Sequence, residues 1–261
     1  MYGNYPAVGI TPVAAFAVWQ ARLGKLLGLD KLAWQDVLPE YDTYKYQSFA
    51  VNAGDLEYQL TTENRRLLEQ LRTTGALQNF PPTLAFLSAV DATVSNRAAV
   101  ESFFMRLQPG GHELVVFDLN RREGMGHLFT NDPKDAIETL LNDKALRFTF
   151  TVISNRGPDT TGVAMCSNQA DTPSNVKNLP ELAWPDGIYS LAHVALPFPP
   201  DDPLYGGPDA GKSPGIALGN VALRGEKGAL KIPPRDMLRQ RWNPFYSIIE
   251  NSADDFLIDN R

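Results

Sequence analysis

Two continuous apolar runs of strand length, separated by a helical pattern, constrain the fold of this chain most strongly. The first run is TLAFLSAV at 83–90, and the second is HELVVFDL at 112–119. Neither alternates between apolar and polar residues, which is typical of strands buried on both faces of a parallel sheet. The segment between them, 96–107, repeats apolar residues at helical spacing. We therefore predict a βαβ unit with a right-handed crossover, and an α/β fold.

The size and composition of the chain are those expected of a single α/β domain. Its 261 residues are 43% apolar and 21% charged, which is enough to bury a sizeable core. The net charge of −6 and the lack of a basic run argue against nucleic acid as a partner. The lone Cys166 excludes an intramolecular disulfide framework, and we expect it to be a small buried side chain. We predict one domain over 1–261.

No stretch of the sequence has the pattern of a membrane span or an export signal. The most apolar N-terminal run, 6–18, is too short to cross a bilayer, contains two prolines and follows no basic stretch. We therefore expect no membrane span, and a cytoplasmic location unless an export signal lies upstream. The chain enters an apolar, strand-like segment almost at once, so we expect that an upstream segment is missing from it.

Helical patterns flank an aromatic-rich stretch before the βαβ unit. Residues 13–28 form an amphipathic pattern, and 61–73 form a second one that opens at Thr61 or the following Thr and stops at Gly75. The stretch 32–54 between them predicts irregular structure that covers an apolar surface.

Two further elements are predicted after the βαβ unit. Residues 143–155 alternate as a further strand of the sheet, and 232–258 read as a terminal helical region. Phe245 and Ile248 are expected to pack in that region, whereas Arg241 and the arginines before it are expected to form a solvated helix face.

Asp91 and one histidine are the candidate functional residues. Asp91 follows the first apolar strand, at the strand end where ligand chemistry gathers in open α/β sheets. At this position it either faces a site or makes a local turn with Thr93. His112 begins the second strand and is expected at the opposite end. His127, in a glycine-containing loop, competes with His193, which precedes a proline-fixed loop that can hold an imidazole in one place.

These motifs, in this order, resemble the last third of the α/β-hydrolase fold. Pro82, Leu84, Asp91 and Val94 match the P-x-L-x-x-x-x-x-x-D-x-x-V setting in which the acid of that family follows a late strand. The segment YSLAHVALPFPPDDPLYG at 189–206 resembles the His-bearing segment of a bacterial esterase/lipase-like branch. PAVGI near the start resembles the end of the strand that follows the nucleophile's own strand and helix.

The resemblance implies the C-terminal part of an α/β-hydrolase fold, a mostly parallel sheet flanked by helices. Residues 11–60 would be a helical cap and 61–261 the core. Asp91 would be the orienting acid and His193 the general base of a Ser-His-Asp triad. No cofactor or metal is implied, and the substrate would be a small ester with an apolar or aromatic group. An upstream segment or a partner chain would complete the fold.

The sequence GKSPG at 211–215 spells G-x-S-x-G, but its context is wrong for a nucleophile. An elbow serine follows a strand and precedes a helix, and the next residue donates its N–H to the oxyanion hole. Pro214 has no N–H, and Ser213 comes after both proposed partners, whereas the family order is Ser, acid, His. We therefore predict a turn there. The other serines considered lack elbow glycines: Ser88, Ser95, Ser154 and Ser190.

Three functions stay open on the sequence alone. The first is a serine-type carboxylic-ester hydrolase whose nucleophile is not in this sequence. The second is a non-catalytic α/β binding module or pseudoenzyme that keeps the cap pocket. The third, a metal-dependent hydrolase using His127 and His193, lacks ligand spacing such as H-x-x-x-H. Asp201 or Asp202 could also orient His193 instead of Asp91, although a solvated turn at Asp202 is favoured.

Overall fold

The computed structural model describes residues 33–40, 42, 44, 46, 48–91, 94–168, 176–208, 210, 218–219 and 241–260. These residues fall in two compact units. One contains the described residues up to Leu77 with those of 94–102, and the other contains those of 78–91 with those from Phe103 onward. The predicted helix at 13–28 and the predicted turn at Ser213 lie outside the described residues. The single domain stays a prediction.

The first unit contains a small antiparallel pair of strands and two helices. Strand β1 (Trp34–Asp36) pairs with β2 (Phe49–Ala50), and helix α1 (Val51–Thr73) follows directly. Helix α2 (Asn96–Ser102) begins after Ser95, whose Oγ accepts the Ala98 N–H at 3.1 Å as an N-cap. The described part of the predicted cap therefore holds two short strands and the start of a long helix.

Helix α1 begins at Val51, so the predicted start at Thr61 is wrong. Thr61 lies inside the helix, where its hydroxyl donates to the Tyr58 carbonyl at 3.0 Å instead of capping a terminus. The residue before the helix, Ala50, makes no side-chain cap bond. The predicted stop is confirmed, because Gly75 takes a positive φ of 75° just after the last turn, a conformation that glycine adopts at little cost.

The second unit is built on a five-stranded mixed sheet. Its strands pair in chain order: β3 (Leu84–Ser88), β4 (Glu113–Phe117), β5 (Thr149–Asn155), β6 (Gly162–Ser167) and β7 (Val176–Ala183). The first three run parallel, with Leu84 opposite Glu113 and Glu113 opposite Thr149. The parallel pairing of β3 and β4 is as predicted. The segment between them contains α2, which ends at Ser102, before the predicted end at 107.

The sheet is mixed rather than mostly parallel as predicted. Strands β5, β6 and β7 pair antiparallel. Only 156–161 join β5 to β6, and so short a connection cannot make the crossover that parallel neighbours need. Strand β7 forms an edge and contains Pro180, a residue that edge strands tolerate.

Helices flank this sheet, in agreement with a general α/β class. Helix α3 (Lys134–Asn142) lies between β4 and β5 in the chain and packs on β5, while α4 (Tyr246–Asp259) contacts β3. None of the helices in the described ranges combines the length and the apolar character needed to cross a bilayer.

The core between the sheet and α4 is aromatic at its centre. Phe245, fully buried, stacks on Phe117 with ring centroids 6.3 Å apart and meets Trp184 edge-on at 4.9 Å. Leu191 and Leu196 belong to the same cluster. The core therefore reaches directly to the chain on both sides of His193.

Two predictions about single side chains need correction. Arg241 precedes α4 and is 2% exposed, with its guanidinium 5.3 Å from the ring centre of Tyr205, so it does not form a solvated helix face. The aromatic face offsets part of the cost of burying the charge. Cys166, in β6, is partly buried rather than buried. The packing roles predicted for Phe245 and Ile248 are confirmed.

Candidate functional site

Asp91 and His193 lie against each other in the second unit. The Asp91 Oδ1 atom is 3.4 Å from Nδ1 of His193. This is an ion-pair distance, somewhat longer than the usual range of an N–H···O hydrogen bond. The structure therefore brings together the two residues that the sequence singled out as acid and base.

The end of β3 places the Asp91 carboxylate. The Ala89 N–H donates to the Phe117 carbonyl at 2.8 Å, which ties the turn after β3 to the end of β4. The Asp91 N–H then donates back to the Ser88 carbonyl at 3.1 Å. Ser88, fully buried, accepts the Val90 N–H on its hydroxyl at 3.4 Å. Asp91 thus leaves the carboxyl end of the parallel strands, where α/β sheets place their chemistry.

A turn and two apolar anchors place His193. In the turn Pro185–Ile188 the Ile188 N–H donates to the Pro185 carbonyl at 3.2 Å, and Gly187 takes a positive φ of 76°. Beyond it, Leu191 and Leu196 are buried in the core on either side of the histidine. The chain between these anchors presents His193 towards Asp91.

The exposure of the pair is unequal. The Asp91 side chain is 2% exposed and the His193 side chain is 30% exposed. Because Nδ1 of His193 is itself buried, the exposed surface of the ring belongs to its other atoms. A carboxylate on Nδ1 favours the tautomer with the proton on that nitrogen and leaves Nε2 with a lone pair. The pair can therefore accept a proton at Nε2 and stabilise the resulting imidazolium.

A second polar cluster lies at the ends of β4 and β5, and sequence reasoning missed it. The Asp118 carboxylate, 3% exposed, accepts the Ser154 hydroxyl at 2.8 Å and is paired with Arg121. Arg121 also bridges to Asp132 at 2.7 Å. Burial raises the pKa of Asp132, but hydrogen bonds from Arg121 and the Lys134 N–H outweigh it and hold that pKa below its usual value. Arg121 thus balances two carboxylates.

Asparagines connect this cluster to the loop that carries His193. The Arg121 N–H donates to Asn155 Oδ1 at 2.7 Å, and Asn155 Nδ2 donates to Asn120 Oδ1 at 3.0 Å. Asn120 in turn donates its side-chain amide to the Ile188 carbonyl at 3.0 Å. The signal for Asn120 was present in the sequence, because FDLN places polar residues straight after a buried strand, as in the case of Asp91.

The competing candidates have other surroundings. His127 is exposed in a short 3₁₀ helix at 126–128. Asp202 accepts the N–H groups of Leu204 and Tyr205 at 2.9 and 2.7 Å, so the turn predicted for it is confirmed. His193 is instead next to Asp91.

His112 lies at the start of β4, away from the carboxyl ends of the strands, as predicted. Its side chain is 2% exposed and packs beside Phe80. Burial lowers the pKa of the imidazole below its ordinary value of 6.5, although a hydrogen bond with the Gln108 backbone acts the other way. Burial therefore favours the neutral form of His112.

The lowered pKa of His112 predicts an acid-sensitive stability. Because the unfolded chain binds a proton at a higher pH than the native state, stability falls as the pH drops below the unfolded value. We expect the free energy of unfolding to decrease between about pH 7.5 and about pH 5.5, and this decrease to be smaller in His112→Phe. The measurement is urea unfolding at both pH values. His127→Gln, at the exposed histidine, should keep the full dependence, and equal slopes in wild type and His112→Phe would contradict the prediction.

No metal centre is formed by the part of the chain that the structure describes, since no three His, Cys, Asp or Glu side chains there are grouped closely enough to hold an ion.

Comparison of the chain with family models, with curated proteins and with solved structures finds no match.

Proposed function

We propose that this chain carries the acid and the general base of a serine-type hydrolase of carboxylic esters. The observation that supports the proposal is the Asp91–His193 pair, 3.4 Å apart at the carboxyl ends of parallel strands. A buried carboxylate behind a partly exposed imidazole is the arrangement that a Ser-His-Asp triad requires. The order of the two residues along the chain, acid before histidine, also agrees with the α/β-hydrolase resemblance.

In this proposal His193 moves protons and Asp91 holds it in place. Nε2 of His193 takes the proton of the attacking serine hydroxyl and later returns it to the leaving alkoxide. Asp91 keeps the other ring proton on Nδ1 and offsets the positive charge that the imidazole carries between these two steps. A second proton acceptor is not needed, because one imidazole serves both steps.

The nucleophile, in this proposal, is a serine from outside these 261 residues. No serine in the sequence combines flanking elbow glycines with a following residue that can donate its N–H. Ser88 is fully buried and Ser154 donates to Asp118, so both hydroxyls have structural partners. An upstream segment or a partner chain would supply the serine and the oxyanion hole.

The proposed substrate is a small ester with an apolar or aromatic group. This choice follows from the resemblance, in which residues 11–60 form a cap that contains the aromatic-rich stretch 32–54.

A non-catalytic binding module is the second candidate. The lack of an elbow serine favours it, because a chain that keeps the acid and the histidine without a nucleophile could retain a pocket and no activity.

Labelling with a fluorophosphonate distinguishes the two candidates. We expect no labelling of the 261-residue chain, at Ser213 or elsewhere. In the product of the whole reading frame that contains these residues, or in a complex with the chain encoded beside it, we expect one serine in a G-x-S-x-G context to be labelled. No labelled serine in any of these proteins would favour the binding module, and labelling of the 261-residue chain itself would contradict the assignment.

A further inference from the structure

We propose that Asn120 is a positioning residue for His193, and that it acts by holding the backbone that leads into the histidine. This inference extends the proposed function, because it concerns the base of that same site. The effect of Asn120 passes through its hydrogen bonds to the loop before His193.

Asn120 donates hydrogen bonds to two consecutive carbonyl groups of the loop that leads to His193. Its side-chain Nδ2 donates to the Ile188 carbonyl at 3.0 Å, and its backbone N–H donates to the Tyr189 carbonyl at 2.9 Å. Both contacts join the end of β4 to the chain shortly before His193. Asn120 is 4% exposed, so the hydrogen bond from its side-chain amide to the Ile188 carbonyl is shielded from water.

The loop depends on these hydrogen bonds for a fixed position, because it has no regular secondary structure of its own. Residues 184–200 consist of turns and irregular backbone. Ordering several such residues costs more conformational entropy than one partly exposed ion pair returns, so the contact between Asp91 and His193 cannot hold the loop by itself. The buried Leu191 and Leu196 hold the loop against the core. The amide of Asn120 holds the loop backbone at Ile188 next to the end of β4.

A matching anchor lies on the other side of the histidine. Asn243, fully buried, donates its backbone N–H to the Phe198 carbonyl at 2.8 Å and its amide to the Leu196 carbonyl at 3.4 Å. The shorter side-chain contact is the one from Asn120, which is also tied to the strand ends through Asn155. We therefore assign the positioning role to Asn120.

The test is the tautomer of His193 in the ¹⁵N-labelled chain. Long-range ¹H–¹⁵N spectra at about pH 8 report which ring nitrogen carries the proton, and His193→Gln assigns the signals. We expect the Nδ1–H form to dominate in the wild type. In Asn120→Leu, which keeps the side-chain shape and the net charge, the ratio of Nδ1–H to Nε2–H should fall by about threefold or more, because the ring no longer stays beside Asp91.

Asn168→Leu is the matched control. Asn168 is also a buried asparagine, whose Oδ1 accepts the Phe150 N–H at 2.9 Å at the opposite end of β5. Its replacement should lower the melting temperature and leave the His193 tautomer ratio unchanged. If Asn120→Leu does not fold, Asn120→Ser, whose side chain is too short to reach Ile188, is measured instead with the same expected direction.

A wild-type ratio in the Asn120 variant would overturn the inference, as would an equal change in Asn168→Leu. The tautomer is measured without substrate, so it is independent of the labelling experiment. A failure to find a labelled serine would remove the proposed function while leaving the positioning of His193 by Asn120 to be decided by the spectra.

Discussion

Replacing His193 by Ala is expected to lower the rate of fluorophosphonate labelling of the whole reading-frame product by about 10⁴-fold or more. Without the imidazole, the attacking hydroxyl has no group to take its proton, and what reactivity is left comes from the oxyanion hole and binding. Asp91→Asn should lower the rate by about 10³-fold to 10⁴-fold, because the amide no longer fixes the Nδ1–H tautomer. The measurement is the labelling rate at equal protein concentration.

The control for this prediction is His127→Ala. His127 is the other histidine that the sequence offered as a base, and it is exposed at 126–128. We expect this variant to be labelled at the wild-type rate. Loss of labelling in His127→Ala, together with normal labelling in His193→Ala, would show that His127 is the base. That result would contradict the proposal.

Replacing Arg121 by Met is expected to destabilise the second unit by about 3–5 kcal/mol. The substitution leaves the buried Asp118 without its cation, and the Ser154 hydroxyl alone does not balance a buried negative charge. Removing the charge as well, in Asp118→Asn with Arg121→Met, should recover more than about half of the loss. Urea unfolding monitored by tryptophan fluorescence measures each difference, since Trp184 lies in the core of this unit.

Lys134→Met is the control for the ion-pair prediction. Lys134 pairs with Glu138 at 3.7 Å on the surface of α3, with both side chains more than half exposed. Such pairs add little to stability, so we expect almost no change. If Arg121→Met and Lys134→Met lower the free energy of unfolding by the same small amount, Arg121 does not stabilise the buried Asp118 carboxylate, and the prediction is wrong.

The sequence predicted the two strands of the long apolar runs. TLAFLSAV and HELVVFDL became β3 and β4, in parallel, because such runs are typical of parallel strands. Burial on both faces is confirmed for β4, whereas β3 lies at the sheet edge and most of its residues are only partly buried. The juxtaposition of Asp91 with His193 was predictable only in part. Asp91 follows β3, and position after a strand is a sequence property. His193 lies in irregular chain, and its place beside Asp91 was expected only from the resemblance.

Elements whose stability comes mainly from tertiary contacts were harder to predict. The first turns of α1 lack a side-chain cap at Ala50 and contain Gly54. The local sequence therefore has no capping residue that would predict a helix start there. Strand β7 exposes most of its side chains at the sheet edge and contains Pro180, which reads as a loop until its partner strand is known. The sheet was expected to be mostly parallel because β7 and its antiparallel pairing with β6 were not predicted.

The polar cluster at the strand ends illustrates a different limit. Asp118 and Asn120 carry the same positional signal as Asp91, but their roles depend on which side chains the parallel register of β4 and β5 brings beside them. Arg241 shows the converse. Its charge predicted a solvated position, whereas the ring of Tyr205, distant in sequence, lies under the guanidinium in a buried site.

The most direct measurement is the tautomer of neutral His193 in wild type and in Asp91→Asn, read from long-range ¹H–¹⁵N spectra at about pH 8. If the carboxylate orients the imidazole, the wild type holds its proton on Nδ1, and the Asn variant moves it to Nε2, the form that would leave no base for a serine. A proton on Nε2 in the wild type, or the same tautomer in both proteins, would contradict an acid–base pair at this site.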